Sequence, residues 1–519
     1  MQIAFDNELY IREQANFIRE RMAGLQSRLY LEFGGKLLHD FHAARVLPGY
    51  DPNVKLRLLK ELQNDADIVL CIHAGAIEQR KIRADYGITY DADAMKLIDD
   101  LSGFGLAVSA VVITRWEGQR QAKAFKTKLE NRGLRVYTHA PTRGYPTDVE
   151  LIVSEEGYGA NPRIEVSKPL VVVTGPGPGS GKMATCLSQV YHDHLAGANA
   201  MYAKFETFPI WSLPLKHPVN LAYEAATLDL RDVNLIDPFH LEATGQTAIN
   251  YNRDVESFPI LKGILERITG ARSVYRSPTE MGVNRAGFAI INDEAAREAA
   301  RQEVVRRYFR TACEHLMGLA DNEALAKAER LLQELEIRPE YRPVVLPARQ
   351  AAAERAEKAG PAPTATNSSP TIAPASQADL VFCGAALQLP DGQIVTGKNS
   401  SLLHAPTAAV INGLKQLAGL PDGIHLLSPL IIESIARFKT EVGSGKTPSL
   451  DVDEALIALA ISAALTPMVQ ACLDRLHELR GCQMHLTHLP SPGDEAGLRR
   501  LGVNLTADPV YASRRLFEG

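Results

Sequence analysis

Residues 175–182 read Gly-Pro-Gly-Pro-Gly-Ser-Gly-Lys, a glycine-rich turn ending in lysine. An apolar run, PLVVVT (169–174), leads into it, and a helical pattern, MATCLSQVYHDHL (183–195), follows. Phosphate binding requires backbone N–H groups converging at a helix N-terminus, plus a cation. Glycine permits close backbone approach, whereas Pro176 and Pro178 offer no N–H. The cofactor-binding set read from the turn is Gly175, Gly177, Gly179, Ser180, Gly181, Lys182, Met183 and Ala184, with Lys182 placed where a Walker lysine reaches the β/γ phosphates. Two positions depart from the strict pattern. Pro176 stands where the first glycine belongs, and Met183 replaces the Ser/Thr hydroxyl that normally holds Mg²⁺. A Mg²⁺ ligand must then come from Ser180, Thr185 or Asp237. A dinucleotide GxGxxG fits less well, and the plain alternative is a tight strand–helix turn with a solvated lysine. A second string, EVGSGKTPSL (441–450), is rejected: no buried-type strand precedes it, and Pro448 biases Thr447 away from a helix start.

Other polar groups cluster where strands should end. VNLIDPFH places Asp237 after an apolar run, the context of a metal-holding Walker B aspartate. YAKFETFP brings Lys204, Glu206 and Thr207 together; Lys204 suits an electrophilic clamp and Glu206 a base or a metal ligand, with a strand-end ion pair as the alternative. AINYNRD offers Asn250, Asn252, Arg253 and Asp254 as a substrate-binding loop, and SPTEMGVN (277–284) is a further polar loop. Lys182, Lys204, Glu206 and Asp237 form the catalytic set, Thr207 and the 250–254 residues the substrate set, and Asp237 the metal position. His39 and His42 share a helical spacing, but no third ligand accompanies them. HExxH, GxSxG and kinase HRD…DFG motifs are missing, which removes the usual zinc-peptidase, α/β-hydrolase and protein-kinase chemistries.

These groups need a scaffold. LYLEF (29–33), ADIVLCI (66–72), LAVSAVVIT (106–114), LRVYTH (134–139), PLVVVT (169–174), AMYAKF (200–205) and VNLID (233–237) read as strands, with amphipathic stretches between several of them. Continuous apolar strands alternating with helices predict an α/β fold with a largely parallel, Rossmann- or P-loop-like sheet covered on both faces. A helical segment follows (293–319 and 322–336), and then a smaller C-terminal α/β domain opened by a hairpin around Pro390-Asp391-Gly392. The predicted division is 1–165, 166–350, an Ala/Pro/Ser/Thr-rich linker at 351–378 too poor in large apolar groups to form a core, and 379–519.

The bulk composition narrows the partners. A net charge of −5 without any long Lys/Arg block gives no case for nucleic acid or an anionic membrane. No apolar run reaches the roughly 18 residues of a membrane span. The start lacks a signal-peptide pattern, and six cysteines without CxxC spacing suggest neither a disulfide scaffold nor a zinc ribbon. A reduced, cytoplasmic protein is expected, and its size and paired long helices suggest a homo-oligomer.

The strings LYLEFGGK, DFHAARVLPGY, GPGPGSGKMATCLSQVYHDH, YAKFETFPIWSLPLKHPVNLAYEAAT, NLIDPFHL, NYNRD, SPTEMGVN, DGQIVTGKNS and LGVNLTADPVY resemble those of a bacterial family called domain of unknown function eighteen-forty-six. The resemblance runs from about residue 5 to the C-terminus apart from 351–378, and implies no particular activity. Some members have carried the label ATP-dependent peptidase, which the missing protease motifs do not support. The residues themselves suggest an enzyme using ATP, or another phosphate ligand, with Mg²⁺ to act on a small polar metabolite by phosphoryl transfer or ligation. The alternatives are a non-catalytic nucleotide or phospho-metabolite sensor, and an enzyme that holds a phosphorylated substrate on the loop without ATP.

Overall fold

The computed structural model describes all residues except 1, 26–27, 84–86, 360–380, 442–447, 465 and 514–519. The chain divides into two compact units, Met1–Arg301 and Gln302–Gly519.

The first unit is built on six strands: β1 (Arg28–Phe33), β2 (Ala66–His73), β3 (Val108–Thr114), β4 (Val136–His139), β5 (Leu170–Thr174) and β6 (Ala200–Phe205). They lie in the order β4-β3-β2-β5-β1-β6, and every neighbouring pair is parallel. The near-continuous burial of β2 and β5 is what a sheet covered on both faces demands. Two-residue alternation sorts their side chains. Val69, Cys71, Val171, Val173, Tyr30 and Tyr202 join one core with Cys186, Leu187 and Val190 of α3 (Lys182–Leu195) and Phe258, Leu261 and Ile264 of α5 (Asn252–Thr269). Leu70, Ile72, Val111 and Ile113 point the other way, into a core with Ala122, Phe125 and Leu129 of α2 (Arg120–Glu130). Six of the seven predicted strands therefore belong to this sheet, with strands drawn from both sides of residue 165.

The seventh, VNLID, does not. Residues Asn234–Ile236 (β7) pair antiparallel with Ile249–Tyr251 (β8) in a separate two-stranded ribbon, joined through α4 (Pro238–Thr244). The reason lies in its burial: Leu235 and Ile236 remain exposed, so the run is apolar without being a core strand.

In the second unit β9 (Gly384–Gln388) and β10 (Ile394–Lys398) form the predicted hairpin. With β11 (Gln483–Leu486) and β12 (Asn504–Ala507) they make a four-stranded sheet in the order β10-β9-β11-β12. Its core is closed by helices including Ala405–Leu417 and Val452–Ala463. The linker predicted from 351 starts inside a helix, Val345–Ala359, because AAAERAEKA is made of strong helix formers; residues 360–378 lie outside the described residues. So does the rejected GSGKT string, at least up to Thr447.

Candidate functional site

Strand order locates the crevice of this sheet. The chain leaves β2 toward β3 on one side and leaves β5, through α3, toward β6 on the other, so connections diverge between β2 and β5. Open α/β sheets bind ligands at such a point, outside the carboxyl ends of the strands. The 175–184 loop sits there.

The loop is held open rather than collapsed. Gly181 caps α3 with a positive φ of 86°, and a Cβ on it would stand 2.8 Å from the Thr114 side chain. Gly175 passes so close to β2 that a Cβ would meet the Cys71 carbonyl oxygen at 2.5 Å. The Thr114 hydroxyl donates to the Ser180 carbonyl at 2.8 Å, tying the loop to the end of β3. Among the described residues no acceptor takes the backbone N–H of Gly177, Gly179, Ser180, Gly181, Lys182, Met183 or Ala184. Lys182 is buried, and its ammonium meets only the Gly177 carbonyl and Ser180 Oγ, both at a long 3.4 Å. No carboxylate pairs with it among the described residues. A buried cation and a run of donors without protein acceptors among the described residues thus meet at the start of α3, which is the arrangement anion binding requires. Across the crevice Arg115, also in the left-handed region (φ 50°), has no carboxylate partner among the described residues and lies 3.3 Å from Nε2 of His73. Burial first, and then the Arg115 cation, hold His73 below the usual imidazole range. Burial also pushes the Cys71 thiol beneath the loop up to about 12, which removes it as a nucleophile.

The alternation that places Val173 on the α3 face puts Glu32 and Lys204 there too, since Glu32 is in register with both. Glu32 accepts from the Tyr202 hydroxyl at 2.5 Å. Beyond it lies a network of charge. The Lys204 ammonium is 2.5 Å from Asp254 and 3.2 Å from Glu206, and Arg253 is 3.6 Å from Glu206 and 3.3 Å from Asp232. Burial alone would lower the Lys204 and Arg253 pKa values; the surrounding carboxylates outweigh it and hold both above their usual range. Glu206 moves up, chiefly through burial and with Asp254 adding to it, despite the nearby cations. The pair Lys204–Glu206 and Asp254, from the end of β6 and the first turn of α5, line a pocket that opens to solvent. Phe208, Trp211, Ile249 and Phe258 supply apolar wall, and Asn250 and Asn284 polar rim.

The predicted residues thus fall into three places. Gly175–Ala184, including Lys182, form the loop at the crevice. Lys204, Glu206, Asn250, Arg253 and Asp254 gather around the pocket, one strand beyond β1. Asn252, Thr207 and Asp237 do neither. The Asn252 side chain accepts from the Val233 N–H at 2.9 Å and clips the ribbon to α5. Thr207 is buried and does not line the pocket, although Glu206 and Phe208 on either side of it do. Asp237 corrects the metal expectation: it lies off the parallel sheet, is fully buried, and caps α4 by accepting from the His240 N–H at 3.0 Å. Its other oxygen accepts from the Thr279 hydroxyl at 2.6 Å and from the Thr279 N–H at 3.2 Å. A Walker B residue needs an oxygen free for Mg²⁺, and here both are committed to capping. Among the described residues no group of three His, Cys, Asp or Glu side chains stands close enough to hold a metal ion. Glu32, His73, Thr114 and Arg115 were missed. Glu32 carried a signal, an acid inside the otherwise apolar LYLEF; the other three carried none, because only the register of β2, β3 and β5 brings them to the loop.

No helix among the described residues is long and apolar enough to cross a membrane. The sequence matches the family model described as Domain of unknown function DUF1846, N-terminal, over residues 3–336, and the corresponding C-terminal model over 340–517. It is 51% identical to the UPF0371 protein of Clostridium botulinum strain 657 over 517 residues, 100% of this chain and 99% of that one. The UPF0371 protein of Clostridium tetani strain Massachusetts is 49% identical, with the same coverage. With the two models matching residues 3–336 and 340–517 and about half of all positions shared with full-length relatives, the chain belongs to the DUF1846 family.

Proposed function

We propose that this protein is a nucleotide-dependent enzyme that holds phosphates on the 175–184 loop and a small polar metabolite in the pocket beside β6. The observation that carries the reading is the loop itself: among the described residues, seven of its N–H groups have no acceptor and its buried lysine has no carboxylate partner. The loop amides would cradle a phosphate chain, and Lys182, with Arg115 across the crevice, would stabilise charge on a transferring phosphoryl group. Glu206, whose pKa burial raises above the ordinary glutamate range, is suited to hold or release a proton of the metabolite, and Lys204 to orient it. Where Mg²⁺ accompanies the nucleotide it neutralises phosphate charge, and Glu32, on the strand next to the loop, is the carboxylate suited to hold it.

A calorimetric titration of ATP, ADP and inorganic phosphate, with and without Mg²⁺, into wild type and a folded Lys182→Ala variant tests this. Micromolar nucleotide binding, weakened tenfold or more in the variant (about 1.4 kcal/mol), is expected. Equal or absent binding in both proteins returns the loop to a strand–helix turn. A second reading, a nucleotide or phospho-metabolite sensor, is favoured by Met183 and by the capped Asp237, since missing Mg²⁺ ligands harm turnover more than binding. Mg²⁺-dependent consumption of nucleotide separates the two.

A further inference from the structure

The loop is one wall of the crevice, and the ends of β2 and β3 are the other. The walls touch where Gly175 passes the Cys71 carbonyl and where Thr114, donating to the Ser180 carbonyl, lies against Gly181. His73 follows Cys71 by two residues, and Arg115 follows Thr114 directly. The bonding of His73 sets the state of its ring. Nδ1 accepts from the Ala76 N–H at 3.1 Å, so the neutral imidazole carries its proton on Nε2. Burial first, and then Arg115, keep the ring neutral. Nη1 of Arg115 stands 3.3 Å from Nε2 and is a donor too. Two donors cannot bond each other, and among the described residues neither has an acceptor between them. The charges that act on His73 are those of Arg115 and Lys81, both cations. The Lys81 ammonium lies 5.8 Å from the centre of the Tyr90 ring, and that ring packs so close to the loop that a Cβ on Gly177 would meet it at 2.7 Å. Arg115 is exposed, so a ligand reaches it from solvent, yet its backbone is tied down. Its carbonyl accepts from the Gln119 side chain at 3.1 Å, and the next N–H, of Trp116, donates to the His139 carbonyl at 2.9 Å. One oxyanion oxygen between the imidazole N–H and the guanidinium would satisfy both donors.

We infer that His73 and Arg115 form a second anion subsite facing the loop, so that the crevice takes a condensed phosphate chain in preference to a single phosphate. One phosphoryl group lies on the loop amides beside Lys182, and another is shared by the His73 Nε2–H and the Arg115 guanidinium. The inference rests on reading the loop as a phosphate cradle, and it names what the cradle holds: a di- or triphosphate, not a metabolite with one phosphate.

Calorimetry on the full chain, just above neutral pH and without added metal, tests it with inorganic phosphate, pyrophosphate and tripolyphosphate. In wild type a condensed phosphate should bind about tenfold more tightly than phosphate, a comparison that needs no variant. His73→Asn is the sharper probe. Asparagine keeps an oxygen to cap the helix Ala74–Glu78, removes the Nε2–H and leaves the net charge unchanged. It should cut the advantage of the chain about threefold, and Arg115→Gln should abolish it, with phosphate itself within about twofold of wild type in both. Equal affinity for all three probes overturns the inference, as does an advantage that survives either substitution or a matching loss for phosphate. Lys182→Ala separates the subsite from the cradle. If it weakens every probe while His73→Asn and Arg115→Gln do nothing, the cradle stands and the subsite falls. Chain binding that depends on His73 and Arg115 but not on Lys182 keeps the subsite and sinks the cradle.

Discussion

The loop at β5 and the network at β6 occupy the same edge and the same face of one sheet, yet they are made of different material. The loop presents backbone N–H groups and a single lysine, and needs glycine where side chains would collide. The network presents side chains from three separated segments, with acids and bases holding one another at 2.5 to 3.6 Å. A backbone site is robust to changes in charge and fragile to changes in volume. For a buried ionic network the order reverses, because each charge there is tolerable only beside its partner.

Two substitutions separate these behaviours, and the larger effect belongs to the network. Lys204→Met keeps the volume and removes the cation shared by Glu206 and Asp254, leaving two half-buried acids facing each other with only Arg253 beside Glu206. A loss of about 3–5 kcal/mol in a chemical denaturation experiment is expected. A loss under about 1 kcal/mol would mean the acids are solvated and the comparison fails. Gly181→Ala changes no charge, but forces a side chain into a left-handed backbone (φ 86°) and against Thr114. The expected cost is about 2–3 kcal/mol. Replacing Thr114 by serine in the same background should recover only a small part of it, since the Cβ and hydroxyl that serine keeps stand as close to residue 181 as the methyl, at 2.8 Å.

The same contrast explains how much could be read from the sequence. A backbone site is written in consecutive residues, so PLVVVT-GPGPGSGK and its helix were legible as a unit, as were the six buried strands. The network was legible only in pieces. YAKFE and NYNRD were each dense in polar groups, but nothing in the chain between 206 and 252 says that Lys204 and Asp254 meet. Parallel register decides that Glu32 stands beside Lys204, and register is a property of pairing rather than of either strand. Asp237 shows the opposite failure. VNLID has the letters of a core strand ending in an acid, but its exposure to solvent allowed it to leave the sheet and become a helix cap.

Asp237→Asn tests that reassignment with a smaller effect. Asparagine can still cap through its side-chain oxygen, so only the second oxygen's bonds to Thr279 suffer. A destabilisation of about 1–2 kcal/mol is expected, with no change in the Mg²⁺ dependence of nucleotide binding. A variant of unchanged stability whose nucleotide binding no longer responds to Mg²⁺ would restore the metal role.

The smallest effect is also the most specific to the network. Burial holds the Glu206 pKa above the ordinary glutamate range, so the folded state keeps that proton to higher pH than the unfolded chain does. Stability contributed this way is fully present below the ordinary glutamate pKa and is lost as pH rises through the raised value. Asp40 has the opposite sign. Burial would raise it, but Lys55 at 2.8 Å outweighs that, so its contribution is lost as pH falls. Glu206→Gln removes only the first titration. The stability of wild type minus that of the variant should therefore decline across the range just above the ordinary glutamate pKa and be flat below it, while the acid limb from Asp40 stays the same in both proteins. A difference that rises with pH would mean that Lys204 and Arg253 outweigh burial and Asp254 at Glu206, and the carboxyl would then stay ionised in the network.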